Sequence, residues 1–217
     1  SGQLGDSTTL NRLLPVRISK TATWRSIAAG HMHTAALQHN GSLWAWGNNA
    51  SGQLGTGTTT AQLRPARVAG PGKWLSLASG STATAGLQDD GTLWAWGSNA
   101  TGQLGTDATA SQLVPHLVAP ARWQQISAGM TFSAGVQADG SLWAWSSAST
   151  IGYANSSATS LSGPTPVLPG SRWRSVSCGW DEAAAIRQDG TLWTWSEPLI
   201  NNVRTRLPAT QVSADTT

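Results

Sequence analysis

The segment Gly41-Ser-Leu-Trp-Ala-Trp-Gly47 returns as Gly91-Thr-Leu-Trp-Ala-Trp-Gly97, then as Gly140-Ser-Leu-Trp-Ala-Trp145 and Gly190-Thr-Leu-Trp-Thr-Trp195, at spacings of 50, 49 and 50 residues. A chain that repeats itself at this period must fold each copy alike and bury the surface of one copy against the next. A second tryptophan precedes each segment, at Trp24, Trp74, Trp123 and Trp173, and six residues after it stands Gly30, Gly80, Gly129 or Gly179. Twelve of the 13 Trp fall into these positions, against one Phe and one Tyr in the whole chain. The tetrad Gly-Gln-Leu-Gly begins at Gly2, Gly52 and Gly102, and Pro15, Pro65 and Pro115 follow each at ten residues; Pro166 and Pro208 extend the series.

Inside a unit, apolar runs of four to six residues alternate with Gly, Asn, Asp and Pro, and none keeps a 3.6-residue period. The fold class expected is all-β. Asn40-Gly41, Asp90-Gly91, Asp139-Gly140 and Asp189-Gly190 predict type I′ hairpins, whose positive φ these pairs supply. In the strand that follows, Trp44 and Trp46 share one face and Leu43 and Ala45 the other. A sheet apolar on both faces suits face-to-face stacking, so the expected architecture is a β-propeller of about 50-residue blades, with a solenoid of β-hairpins the other arrangement the period permits. The chain reads as a single repeat domain, 1–217, with units near 1–47, 48–97, 98–146 and 147–196 and a tail, 197–217, that resembles a partial blade.

The run Gly41-Ser-Leu-Trp-Ala-Trp-Gly-Asn-Asn-Ala-Ser-Gly-Gln-Leu-Gly55, followed by Pro65-Ala-Arg-Val68, resembles the signature of the regulator-of-chromosome-condensation repeat family, and Ile27 to Leu37 matches the rest of it. The resemblance implies a propeller of four-stranded blades, usually seven. Four copies here leave three readings: a small closed ring in which Gly2 to Gly5 completes the last blade, a part of a larger ring, or an open arc that pairs with another. The stretch Ser146 to Gly152 departs from the signature, which predicts an irregular loop in the third blade.

Positions that differ between copies at one equivalent place mark a surface free to specialise. After the glycine that ends the first strand, the copies read His31-Met32-His33, Ser81-Thr82-Ala83, Met130-Thr131-Phe132 and Trp180-Asp181-Glu182. Equivalent loops of a propeller share a face, so these predict a varied rim. Its candidate partner-binding residues are His31, Met32, His33, Met130, Phe132, Trp180, Asp181 and Glu182, rich in the aromatic and thioether groups that docking surfaces use. His31 and His33, two apart, are half of a metal site with no further ligands in reach, and no metal is expected. Trp180 stands where the family's ultraviolet-B receptor carries a Trp, but the Arg that accompanies it there is missing.

No nucleophile elbow, phosphate loop or zinc-helix motif occurs, so a non-catalytic binding scaffold for a protein partner is expected, without cofactor. A homodimer completing a ring is a further expectation. Two alternatives from the resemblance and the composition are a guanine-nucleotide exchange regulator and a carbohydrate- or cell-wall-binding module; the even spacing leaves no room for the inserted wedge on which the family's exchange activity depends. A net charge of +3 with no cluster of four basic residues argues against nucleic acid. No apolar run reaches about 18 residues, so no membrane span is expected. Cys178 is the single cysteine and reads as a small hydrophobe. The sequence leaves the compartment open.

Overall fold

The computed structural model describes residues 1–70, 72–106, 110–130, 132–146, 161–180, 182–196, 199–200, 203–204 and 207–212. It is all-β, with no helix among those residues, and it builds four antiparallel four-stranded sheets. Blade one holds β1 (Trp24–Ala29), β2 (His33–Gln38), β3 (Leu43–Gly47) and β4 (Gln62–Arg67). Blade two holds β5 (Trp74–Ser79), β6 (Ala83–Gln88), β7 (Leu93–Gly97) and β8 (Gln112–Ala119). Blade three holds β9 (Trp123–Ala128), β10 (Ser133–Gln137), β11 (Leu142–Ser146) and β12 (Leu161–Val167). Blade four holds β13 (Trp173–Cys178), β14 (Glu182–Arg187) and β15 (Leu192–Ser196), with β18 (Leu207–Gln211) as its outer strand; β16 (Leu199–Ile200) and β17 (Val203–Arg204) pair with each other in between.

The hydrogen-bonded sheets are offset from the sequence units. Each takes its first three strands from one unit and its fourth from the next, so β4 lies in unit 48–97 and β18 in the tail. The fourth strands carry Pro65, Pro115, Pro166 and Pro208, which a sheet edge tolerates because a missing N–H there costs no ladder bond. Pro15, by contrast, sits in no strand.

The turns between second and third strands are not the two-residue type I′ form expected. Gly41 N donates to Gln38 O and Gln38 N to Ser42 O, and Gly41 alone takes positive φ (81°), so three residues form the loop and the glycine makes the bulge. The reason is the side chain before the glycine. Asp90 Oδ1 accepts from both the backbone N (2.9 Å) and the hydroxyl (2.6 Å) of Thr92, an Asx turn that keeps Asp90 out of the left-handed region. The Thr92 hydroxyl also accepts from Trp94 Nε1 (2.9 Å), and Ser42, Ser141 and Thr191 serve Trp44, Trp143 and Trp193 likewise.

The core is a series of seams between consecutive blades. Ala35, Leu37, Leu43 and Ala45 of blade one meet Trp74, Trp96 and half-buried Leu77 of blade two, with Leu54 and Val68 closing the ends. Small residues on one sheet face thus receive the rings of the next, and the predicted segregation of Trp44 and Trp46 from Leu43 and Ala45 is what makes this possible. Trp74 and Trp96 contact edge to face at 5.6 Å, as do Trp123 and Trp145 at the following seam. The Gly-Gln-Leu-Gly loop pins each seam, because Trp96 Nε1 (3.0 Å) and Thr84 Oγ1 (2.8 Å) both donate to Gln53 O, and Trp145 and Ser133 donate to Gln103 O.

These seams join neighbours only, and the first and fourth sheets make no comparable contact, so the blades form an open arc. The closed small ring is therefore overturned. Gly2 to Gly5 does not complete blade four, whose fourth strand is β18; its Gln3 O accepts from Trp46 Nε1 and Thr34 Oγ1 of blade one (both 2.9 Å). Pro208 to Gln211 likewise finishes blade four rather than opening a fifth. The irregular loop expected in blade three falls, beyond Ser146, outside the described residues.

Candidate functional site

The four glycines that end the innermost strands set the geometry of the arc's axis. A Cβ on Gly30 would lie 2.6 Å from the carbonyl oxygen of Gly80, one on Gly129 would lie 2.5 Å from that of Gly179, and Gly80 faces Gly129 O in the same way. Only glycine lets the blades close so tightly. Immediately beyond, His31, Ser81, Met130 and Trp180 ring a depression of about 270 Å³ whose floor is the ends of the four inner strands. Trp180 is 57% exposed and meets the His31 ring edge-on at 6.2 Å, so the first and fourth blades touch here through side chains.

The eight rim residues predicted from sequence separate into two sets. His31, Met32, Trp180 and Glu182 are exposed and Met130 is half-buried, as a rim requires. His33 and Phe132 are not on a surface at all: both are buried, Phe132 to 3% exposure. Asp181 lies outside the described residues, as does Thr131. The physical reason is a repeated backbone bond. Gly30 N donates to His33 O (2.9 Å), and Gly80, Gly129 and Gly179 donate to Ala83, Phe132 and Glu182 in turn. This closes a tight loop that throws the third residue after the glycine back over it, into the seam.

His33 fills that seam as a hydrogen-bonded wedge. Its Nε2 lies 2.9 Å from Thr84 Oγ1 of blade two, and because that hydroxyl donates to Gln53 O, the imidazole must be the donor. The ring is then protonated at Nε2, and Nδ1 is a buried acceptor without a partner. Burial pushes the His33 pKa down to about 4, so the ring is neutral near pH 7. With His33 in the seam and His31 at the depression, the two cannot serve as a pair of metal ligands; among the described residues no three His, Cys, Asp or Glu side chains cluster. Cys178 borders the depression, but burial of its thiol raises the pKa to about 12, which removes the thiolate needed for reactivity.

One interaction was missed in the sequence. Arg187 stacks its guanidinium over Trp193 at 4.0 Å and Trp173 at 5.1 Å, and its terminal nitrogen donates to Ser171 Oγ (2.8 Å). The first three blades carry Gln38, Gln88 and Gln137 at this place, and that break in the repeat was the available signal.

Solved structures share the fold of this chain. Human WBSCR16 superposes with a TM-score of 0.83 at 20% identity, over 98% of this chain and 60% of that one. Yeast RCC1 (Prp20), crystallised bound to Kap60, gives 0.76 at 22% identity over 92% and 51%. Prp20p from Saccharomyces cerevisiae, described with its binding to Gsp1p and histones, gives 0.76 at 21% over 91% and 52%. The chain thus spans 51–60% of the length of these structures, and at such identities the likeness is one of fold. No curated protein matches the sequence. The family model for the regulator of chromosome condensation (RCC1) repeat matches residues 1–37, 40–87 and 90–136, and a second model of the same repeat matches 24–53 and 74–103. This chain belongs to the RCC1 repeat family.

Proposed function

We propose that the arc is a non-catalytic scaffold that docks a protein partner on the face carrying the loops between first and second strands. The observation that carries this reading is the exposure of Trp180 at a depression to which every blade contributes a different side chain, each mounted on the same preceding glycine. An exposed indole beside a thioether and an imidazole offers a flat, polarizable surface that buries well against a partner's apolar or aromatic group. The partners are proteins, a second copy of this chain among them. The test is a comparison of proteins retained by the immobilised chain and by its Trp180→Ala and Met130→Ser variants. A partner lost from both variants while their melts match the parent supports the rim. Retention that ignores both substitutions, or binding confined to a glycan array, overturns it.

A further inference from the structure

The three seams differ on the face opposite the depression, where the inner strands begin. At each seam the first Trp of the later blade donates its backbone N–H to the hairpin glycine of the earlier one: Trp74 to Gly41 O (3.1 Å), Trp123 to Gly91 O (2.8 Å) and Trp173 to Gly140 O (2.7 Å). In the second and third seams, linker side chains pack in behind, Ala119 and Ala121 against one core and Leu168 against the next. The linker of the first seam carries Gly70 and Gly72 instead, and beside them lies a cavity of about 350 Å³ walled by Leu43, Val68 and Trp74.

A donor and a charge meet at this cavity. Trp74 is 3% exposed, yet its indole N–H has no acceptor among the described residues, and it stands at the cavity wall, where a Cβ on Gly70 would lie 3.6 Å from Nε1. Trp123 and Trp173 also leave Nε1 without a partner, but theirs are sealed from solvent. The residue before each of these Trp is basic, and its stem lies against the hairpin glycine of the earlier blade: Lys73 against Gly41, Arg122 against Gly91, Arg172 against Gly140. In the later seams that hairpin supplies a carboxylate. Asp139 lies 3.8 Å from Arg172, and Asp90 is held below the usual carboxylate range by Thr92 and, more weakly, by Arg122. The hairpin facing Lys73 carries neutral Asn40 in place of the aspartate. No Asp or Glu lines the cavity, and Arg67 borders it. Among the described residues neither Lys73 nor Arg67 forms an ion pair, not even with Asp89, whose backbone N donates to Lys73 O (3.0 Å).

We infer that this cavity binds a small carboxylic acid, whose carboxylate stands in for the aspartate that the first hairpin lacks. The carboxylate accepts from Trp74 Nε1 and pairs with Lys73, while a compact apolar body lies against Leu43 and Val68. Both partners are needed, because a carboxylate leaving water for a partly buried site must regain hydrogen bonds as well as a counter-charge. The linker glycines supply the room that the later seams fill with side chains.

Benzoate is the probe, with benzamide as its uncharged counterpart of the same shape. Each is titrated into the isotope-labelled chain and followed at the assigned indole N–H resonance of Trp74. Benzoate is expected to move that resonance to saturation below about 10 mM, the range of a weak single-site ligand, while benzamide leaves it in place. The Trp180 resonance, in the depression, is expected to stay still in both titrations. Asn40→Asp installs the carboxylate of the other hairpins and Lys73→Gln removes the cation. Both alter exposed side chains, and each is expected to weaken benzoate by about tenfold or more with the melt unchanged. A Trp74 resonance that ignores benzoate, that benzamide moves as far, or that responds equally in the Asn40→Asp chain overturns the proposal. If Asn40→Asp does not fold, Lys73→Gln decides by the same criterion.

Discussion

Phe132 and Trp180 are both aromatic residues introduced into the same loop of a repeat, two positions apart in register, yet one is 3% and the other 57% exposed. The loop closed by the bond from the glycine N–H to the third residue's carbonyl sends successive side chains to different destinations. The position next to the glycine opens on the axial depression; the third turns into the seam between blades. Variation between copies therefore has two meanings in this protein. At the seam it retunes packing between two particular blades, as with His33, Ala83 and Phe132. At the depression it composes a surface.

The sharpest way to break this distinction is to remove rings from each side. Trp96→Ala deletes a fully buried indole and its bond to Gln53 O, and is expected to destabilise the chain by about 3–5 kcal/mol in denaturant titration. Phe132→Ala is expected near the lower end of that range. A Phe132→Ala variant as stable as the parent would return that residue to the rim. The seam also predicts a pH dependence. His33 has a folded pKa of about 4 against an unfolded value of 6.5, so the unfolded chain binds the extra proton between those values. Stability from this group is complete above pH 6.5, falls as pH drops toward 4, and is flat below; the span is worth about 3 kcal/mol. His33→Phe, which installs the residue of blade three, removes that slope. The loop aspartates Asp90, Asp139 and Asp189 also have lowered pKa values, chiefly from the neighbouring Thr or Ser hydroxyl, but starting from 3.8 their losses lie at lower pH.

Much of this was legible before any coordinates. The period, the tryptophans two apart and the glycine six residues past each first Trp are each demanded by stacked sheets, so the residues that recur report the scaffold directly. Gly30, Gly80 and Gly129 recur for a reason that only the stacked blades reveal, a carbonyl of the next blade where a Cβ would stand. What stayed hidden depends on relations between blades. Nothing in Gly2 to Gly5 says which blade it covers, because the tetrad is identical in the three places it occurs; the bond from Trp46 decides it. The burial of His33 was equally hidden, since a polar ring after a loop glycine looks like surface until Thr84 is found beside it.

Arg187→Gln sharpens the comparison at smaller scale, by restoring in blade four the residue that the first three blades carry. The guanidinium contributes two ring contacts and one hydrogen bond, against a stem that is only half-buried, so a loss of about 1 kcal/mol is expected from the melt. A gain in stability would mean that the unpartnered Arg187 Nε outweighs the stacking.

Trp180→Ala should have the smallest effect on stability and the largest on binding. The indole is more than half exposed and its ring contact across the axis is one edge-on imidazole, so truncation is expected to move stability by no more than about 0.5 kcal/mol. The same truncation removes the central aromatic anchor of the depression, a class of residue whose loss typically weakens docking by 2 kcal/mol or more, about thirtyfold in Kd. The two readouts have to separate. If Trp180→Ala melts like Trp96→Ala, the His31 contact is a strut holding the ends of the arc together, and the depression is packing that faces water instead of a surface that receives a partner.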